Sequence, residues 1–526
     1  MSALTTVSGV LRDRVAEHAD VEYVVCDDER LTYAGAERRS RVLARGLLAA
    51  GAGRGSRIGL LFPTGTAFVT AWLATVRIGA IAVPISTFST PIELRDLLGR
   101  AAVDVLLGVP SYRGNDYVAA LSEAAYTGPE GSGPGAVRPT AAPFLRHVWL
   151  EAGFESLEER ADTVPDSLLD AVEGDVRSDD RMAIVHTSGS TSTPKGVIHQ
   201  HGPLLNHLAT LNGLRGLDVG VRLFSNSPMF WIGGLAYNVV GTLVAGATLL
   251  CSAAPDPADT LDFIERERPE LTNGFVASIA SLVAHPSFAT RDFSSIRSGN
   301  LYPLSPEGVR PADPELRHNM LGMTETGSVC LMSPDEADQP ERRRGSFGCP
   351  VPGLDARVVD PDTLEDVPDG VVGELWFRGP ALMEGYDGVE HCDVFTADEW
   401  YRTGDLFTVD DDGFYYFKGR RGDMIKTAGA NVSPREVESA LREVTGGLDV
   451  LVIGIPDTER GQIVGAVIIA EPERAVDLDR VRDGLRARLS AYKVPRRFVC
   501  IAPGDLPMLS SGKPDQRQIV ALFDEP

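Results

Sequence analysis

Short apolar runs alternate with amphipathic segments of helical period through the first part of the chain, and this alternation restricts the fold more than any other feature. Glu22–Cys26 and Leu31–Tyr33 read as strands on either side of a hairpin turn at Asp27–Arg30. Ala36–Ala50 has the pattern of an amphipathic helix and is stopped by Gly51. Ile58–Phe62 reads as a buried strand, Ala67–Ile78 as a helix and Ala80–Pro84 as the next strand; Glu93–Arg100 and Val103–Leu107 repeat the order. The pattern resumes through Leu204–Leu214, Arg222–Asn226, Leu235–Leu243 and Thr248–Leu250. It predicts an α/β fold whose large N-terminal domain is built of doubly wound, mostly parallel sheets. Thr127–Pro143, rich in Gly, Pro and Ala, reads as a mobile surface loop.

From Gly345 the texture shifts to short alternating strands with Gly and Pro turns. Ala356–Val359, Gly373–Arg378 and Gly413–Lys418 predict a small β-barrel or distorted sheet over about residues 345–421. After Arg420 it shifts again. Ser433-Pro434-Arg435-Glu436 is a capping box with proline at the first helical position, opening a helix to about Glu443. Strands at Val450–Ile455 and Ile463–Ala470, a helix at Leu478–Leu489 and a strand at Phe498–Ile501 complete a small α+β unit. The expected domains are residues 1–421 and 422–526, with the boundary near Arg421-Gly422.

The net charge of −24 argues against nucleic acid or an anionic membrane as the main partner. An anionic ligand must then be held by a local cluster of cations, metal ion or backbone amides. The six cysteines are scattered without metal-ligand spacing, which fits buried free thiols in a reducing cytoplasm. No signal peptide is visible. Phe230–Ala254 carries no charge, but Gly233-Gly234, Asn238, Gly241 and Gly246 interrupt it, so a buried helix and strand are expected there and no membrane span.

Thr187-Ser188-Gly189-Ser190-Thr191-Ser192-Thr193-Pro194-Lys195-Gly196 follows the strand-like run Met182–Val185, and Val197-Ile198 resumes the apolar pattern. Small residues let backbone N–H groups approach phosphate oxygens, the hydroxyls add donors and Lys195 adds a mobile positive charge. It is not a Walker A loop: the glycine spacing is missing and Gly196 follows the lysine. A solvated polar turn is the plain reading of the same residues.

Four further segments carry chemistry. Leu321-Gly322-Met323-Thr324-Glu325-Thr326 places a hydroxyl beside a carboxylate able to hold Mg²⁺, although Thr324 also suits a helix cap. Trp400-Tyr401-Arg402-Thr403-Gly404-Asp405 ends in a carboxylate suited to two ribose hydroxyls, and Phe417-Lys418-Gly419-Arg420 offers a guanidinium. Leu509-Ser510-Ser511-Gly512-Lys513 puts one lysine on a glycine-flanked loop. Taken singly, these are also a turn carboxylate and surface cations.

In this order the segments resemble the adenylate-forming superfamily, in its acyl-CoA synthetase (carboxylic acid–CoA ligase) branch. The resemblance runs from Leu31-Thr32-Tyr33 to Lys513 and includes Gly79-Ala80, Val83-Pro84, Gly373-Glu374-Leu375-Trp376-Phe377-Arg378-Gly379 and Asp423-Met424-Ile425-Lys426. It implies an AMP-forming acid–thiol ligase using ATP, Mg²⁺ and coenzyme A on a small carboxylic acid. The acid attacks the α-phosphate of ATP to give an acyl adenylate, and a thiol then displaces AMP. By the same resemblance Thr187, Ser188, Gly189, Ser190, Thr191, Ser192 and Lys195 hold phosphates, Glu325 holds Mg²⁺ and Thr324 contacts the α-phosphate. Asp405 and Arg420 fix the ribose, and Lys513 bridges carboxylate and α-phosphate where charge develops. The C-terminal domain is then mobile, hinging at Gly422, and brings Gly429 beside the pantetheine arm.

The acyl pocket is expected around Pro228-Met229-Phe230-Trp231-Ile232-Gly233-Gly234, with Trp231 where the family often has His, and around Asn300 and Tyr302. No aspartate stands there to hold a substrate amine, which favours a plain aryl, fatty or polycyclic acid. Two departures bear on adenylation: Ser192 stands where glycine is usual, and Leu321 replaces an aromatic residue that often stacks on adenine. Three readings therefore stay open: a complete CoA ligase, a ligase that chiefly converts a preformed acyl adenylate, and one that loads a carrier-protein pantetheine. A non-catalytic adenylate-binding protein is the reading from a different class, opposed by Lys195, Glu325, Asp405 and Lys513.

Overall fold

A computed structural model describes residues 3–89, 91–122, 142–150, 154–187, 195–420, 425–427, 430–432, 434–458, 460–471, 474, 476–489, 491, 493–509 and 514–523. Ser188, Gly189, Ser190, Thr191, Ser192, Gly422, Gly429 and Lys513 lie outside the described residues, as do the expected boundary at Arg421-Gly422 and most of Thr127–Pro143. The chain divides into two compact units: Met1–Asp355 with Arg378–Tyr401, and Ala356–Phe377 with Arg402–Pro526.

Two sheets organise the first unit. The six-stranded sheet runs Ser298–Gly299, Leu271–Asn273, Arg222–Ser225, Thr248–Cys251, Glu22–Cys26 and Glu29–Thr32. Its first five strands are parallel, and Glu29–Thr32 pairs antiparallel with Glu22–Cys26 as the expected hairpin. The seven-stranded sheet runs Gly385–Tyr386, Lys195–Gln200, Arg181–Thr187, Ile81–Pro84, Arg57–Leu61, Val105–Gly108 and His147–Leu150. From Arg181–Thr187 outward it is parallel, whereas Lys195–Gln200 runs antiparallel to both of its neighbours. Parallel strands are covered on both faces, which is why they read as continuous apolar runs such as Ile81–Pro84 and Val105–Gly108, every residue of which is buried.

Helix ends follow local chemistry. Thr32 caps Tyr33–Ala49 by accepting a hydrogen bond from Gly35 N–H, and Gly216, at φ +65°, ends His201–Arg215 in the left-handed region. The expected Leu235–Leu243 helix takes a different form. Gly233–Val240 is a π-helix followed by the α-turn Gly241–Ala245. Asn238 donates to Ser225 Oγ at 2.7 Å and accepts from Asn273 Nδ2 at 3.1 Å, tying this segment to the ends of two sheet strands. The wider turn keeps these buried amides paired while Tyr237, the preceding residue, is also buried. A Cβ on Gly234 would lie 2.0 Å from the Pro228 carbonyl oxygen, whereas one on Gly233 meets nothing within 4 Å.

In the second unit, Asp355–Val359, Gly373–Arg378, Tyr401–Val409 and Tyr415–Arg420 form a four-stranded sheet, the counterpart of the expected barrel or distorted sheet. Tyr401–Val409 is a strand that the turn-like Thr403-Gly404-Asp405 pattern concealed; Gly404 reaches φ +73° within it. Farther on, Asp449–Asp457 and Gly461–Ile469 pair antiparallel, Arg497–Ile501 joins in parallel, and helices Pro434–Thr445 and Leu478–Arg486 contribute to the same apolar core. Among the described residues no helix is long and apolar enough to cross a membrane. All six cysteines are free; Cys26, Cys251 and Cys330 are buried as expected, but Cys392 and Cys500 are exposed.

Three buried histidines make stability pH-dependent. Burial holds His199, His201 and His207 down at about 4, and the unprotonated Nδ1 of His201 accepts from Val7 N–H at 3.3 Å. Their folded pKa values lie below the unfolded one, so the unfolded chain binds more protons between the two. Stability is fully present above about pH 6.5 and is lost as pH falls towards about 4. Urea midpoints should drop steadily from pH 7 to pH 5; a flat profile contradicts the assignment. Gly234→Ala should cost about 1–3 kcal/mol by forcing backbone apart, while Gly233→Ala should stay within about 0.5 kcal/mol of wild type. Equal effects in chemical denaturation would refute the close-approach account of Gly234.

Candidate active site

The polar loop springs from a hairpin. Thr187 ends one strand and Lys195 opens the next, and the two are partners in the antiparallel register. Thr187 and Lys195 therefore stand at one level, at the carboxyl end of Arg181–Thr187. Open α/β sheets bind ligands outside the carboxyl ends of their strands. The return strand is fixed on its far side as well: Val197 and Ile198 pair with Tyr386 and Gly385, and Asp387 N–H donates to Gly196 O at 2.8 Å. Arg57 grips Asp387 with two bonds of 2.7 and 2.8 Å.

Tyr386 links two of the expected catalytic residues. Its hydroxyl donates to Glu325 Oε1 at 2.8 Å, and Lys195 Nζ lies 4.6 Å from its ring centroid. Tyr386 has one hydroxyl proton, so at the 3.0 Å contact with Tyr401 it is Tyr401 that donates. The ring is buried in an apolar cluster with Val197, Met383, Phe395 and Tyr401. A cation–π contact at an exposed lysine is worth about 0.5–1 kcal/mol, and a hydrogen bond to a charged group about 1.5–3 kcal/mol. The second is the stronger constraint, so Tyr386 positions Glu325 more firmly than Lys195.

Thr324 and Glu325 sit on a single 3₁₀ turn, Thr324–Thr326, between the strands Leu321–Met323 and Ser328–Met332. Gly327, at φ +67°, turns the chain, Thr326 Oγ donates to Ser328 O at 2.9 Å, and Met383 N–H donates to Glu325 O at 2.8 Å. The turn is thus not the start of an α-helix. Among the described residues no cluster of three or more His, Cys, Asp or Glu side chains could hold a metal. Glu325 offers one carboxylate, which suits Mg²⁺, an ion taken up through one or two carboxylates plus substrate phosphates.

A cleft with about 690 Å³ of open space, part of it continuous with solvent, runs along the six-stranded sheet. Asn300 and Tyr302 line it, with Tyr237, Met320 and Arg215. Asn300 exchanges two hydrogen bonds with the Gly274 backbone, at 2.9 and 2.8 Å, and so braces the strand end. Burial pushes the Tyr302 phenol up, keeping it neutral. Leu321 is half-buried next to Met320. Trp231 does not line this cleft; it joins a group of edge-on aromatic contacts with Phe88, Phe230 and Phe275. Gly233 and Gly234 start the π-helix instead of forming a wall of the cleft.

In the second unit Asp405 and Arg420 are register partners, and Arg420 Nε lies 2.9 Å from Asp405 Oδ1. Glu374 Oε1 accepts from Gly404 N–H at 2.9 Å, and Thr403 Oγ accepts from Asp405 N–H at 3.0 Å. The carboxylate is thereby held on an interior strand of the sheet with a cation beside it.

Sequence reasoning missed Tyr386, Tyr237 and Arg215. Tyr386 lies in a two-residue strand with no periodicity to expose it, and its partners are distant in sequence. The only available signal was an aromatic residue following a glycine, at Gly385-Tyr386.

Comparison with known proteins places the chain in a family. The AMP-binding enzyme family matches residues 11–387, and the AMP-binding enzyme C-terminal domain matches residues 436–513. A feruloyl-CoA synthase from Amycolatopsis sp is 32% identical, with 96% of this chain and 96% of that protein covered. An indoleacetate–CoA ligase from Aromatoleum aromaticum is 29% identical over 93% of each. The crystal structure of the anthranilate CoA ligase AuaEII in complex with anthranoyl-AMP superposes with a TM-score of 0.77 at 24% identity, covering 98% of this chain and 97% of that one, a likeness of fold. The chain belongs to the AMP-binding enzyme family, in the acyl-CoA synthetase branch of the adenylate-forming superfamily, and is an AMP-forming acid–thiol ligase.

Proposed function

We propose that the protein joins a carboxylic acid to coenzyme A through an acyl adenylate. The observation that carries this reading is the Tyr386 bridge, in which one buried residue supports a cation from a strand and a carboxylate from a separate 3₁₀ turn. Lys195 and the residue 187–192 loop receive the β- and γ-phosphates, and Thr324 contacts the α-phosphate. Glu325 holds Mg²⁺, which when bound neutralises phosphate charge. Asp405 and Arg420 receive the ribose, Lys513 stabilises the carboxylate–phosphate transition state, and Gly429 lies along the pantetheine path after rotation at Gly422. A carboxylate oxygen bonds to the α-phosphorus as its bond to pyrophosphate breaks; the thiol sulfur then bonds to the acyl carbon and AMP leaves. In a chain of net charge −24, localised cations are what allow two anions to meet.

A second reading is supported by Ser192 and by Leu321, which is aliphatic where an aromatic residue would stack on adenine. On that reading the first step is slow and the enzyme chiefly converts a preformed acyl adenylate. Parallel assays of acid with ATP and of synthetic acyl adenylate, each with coenzyme A, separate the two. Comparable acyl-CoA formation supports the complete ligase; a deficit of about 10-fold or more in the ATP arm supports the second reading. Replacing coenzyme A by a carrier-protein pantetheine tests the remaining acceptor.

Tyr386→Phe keeps the ring beside Lys195 and removes the hydroxyl from Glu325. It should lower kcat/KM for ATP by about 10-fold, near 1.4 kcal/mol, while turnover of supplied acyl adenylate stays near wild type. Tyr386→Leu should fall further because the cation–π contact is also lost. Pyrophosphate release kinetics provide the readout, and a wild-type Tyr386→Phe enzyme would contradict the positioning role.

A further inference from the structure

Arg215 lines the cleft, and among the described residues its guanidinium has no counter-charge. Its Nε and Nη2 donate to Asn212 Oδ1 at 3.2 and 2.8 Å, and Nη2 also donates to Tyr237 O at 2.7 Å. The guanidinium stacks on the Tyr237 ring, 3.9 Å from its centroid. Among the described residues every acceptor it uses is neutral, and its Nη1, although buried, has no hydrogen-bond partner. The residue retains some solvent exposure, but the guanidinium is enclosed, and burial pulls its pKa below the usual arginine value. An enclosed, unpaired cation is costly to a fold unless an anion completes it. Asp335 and Glu336 also line the cleft, but both lie in its exposed part and are engaged elsewhere, Asp335 by Ala337 N–H and Gln339, and Glu336 by Ser298.

The topology separates Arg215 from the reacting end. The His201–Arg215 helix returns to the start of the Arg222–Ser225 strand, and Leu223 and Leu271, paired near the starts of their strands, line the cleft with Arg215. Asn273, Asn300 and Tyr302 line it at the carboxyl ends, with Met320, which directly precedes the Leu321–Met323 strand leading into Thr324 and Glu325. Two to three residues of strand separate these levels, about 7–10 Å. Tyr237 spans them: its ring lies under Arg215 and its hydroxyl lies 3.9 Å from Met320 Sδ.

We infer that the acid taken by this ligase carries a second anionic group, a carboxylate by preference, received by Arg215 at the far end of the cleft. This rests on the CoA-ligase reading above and names its substrate class. The walls between the two ends, with Leu223, Leu271 and Tyr237, suit an apolar spacer. A purely structural Arg215, bracing the helix to Tyr237, affects all acids alike, whereas a recognition role changes the ratio between them.

The test compares acyl-CoA formation from adipate, suberate and sebacate with that from their monomethyl esters. Wild type should favour at least one diacid over its ester by 10-fold or more in kcat/KM. Arg215→Met should lower diacid kcat/KM at least about 10-fold more than ester kcat/KM, and Arg215→Lys should restore part of the preference. Esters turned over as well as or better than every diacid by wild type overturn the inference, and that measurement needs no variant to fold. A diacid preference that survives Arg215→Met overturns it too. If wild type forms no thioester from any acid supplied, with ATP or as the adenylate, the ligase reading itself fails, a result distinct from thioesters formed without a diacid preference.

Discussion

One strand runs against the grain of its sheet, and the active-site arrangement depends on it. Lys195–Gln200 is antiparallel to Arg181–Thr187 on one side and to Gly385–Tyr386 on the other. A parallel partner would need a long crossover connection, but an antiparallel one needs only a hairpin loop. Thr187 and Lys195 are therefore brought together directly at the carboxyl end of a central strand. The second pairing brings Tyr386 under Lys195, and the hydroxyl of the same residue reaches Glu325. Strand pairing thus assembles three side chains from segments far apart in the chain.

The surrounding sheets supply rigidity. Their strands are apolar on both faces, so shifting one would expose side chains worth about 1.5–3 kcal/mol each when buried. Several polar groups inside this frame are committed: Asn238 to Ser225 and Asn273, Asn300 to Gly274, and Asp387 to Arg57. The Arg215 guanidinium, whose hydrogen-bond acceptors are neutral, carries an unpaired charge that low dielectric surroundings make costly. The large negative net charge works in the same direction, leaving anion recognition to a few cations fixed by the fold.

Local periodicity carried most of the architecture. The alternating strands and helices from Glu22 to Val105 are short-range signals, and their observed bounds differ from the expected ones by a few residues at most. The Gly233–Val240 π-helix was not legible, because it depends on amide bonds from Asn238 to distant strands. The Tyr401–Val409 strand was hidden by Thr403-Gly404-Asp405, whose turn chemistry serves as an irregularity inside a strand. Asp405 and Arg420 were legible as chemistry but not as cross-strand partners, since register is a tertiary property. Arg215 lies just past the expected Leu204–Leu214 segment and drew no reading from the sequence; packing against Tyr237 shows that its charge is enclosed.

The central claim is that Tyr386 and Glu325 act as one unit in holding nucleotide phosphates. A double-mutant cycle on the ATP dissociation constant, using Tyr386→Phe, Glu325→Gln and the pair together, tests it most directly. The account predicts that once either group is changed the second substitution costs little, with a coupling of about 1 kcal/mol or more. Losses that add across the two sites would show that they act independently, and the account would then be wrong.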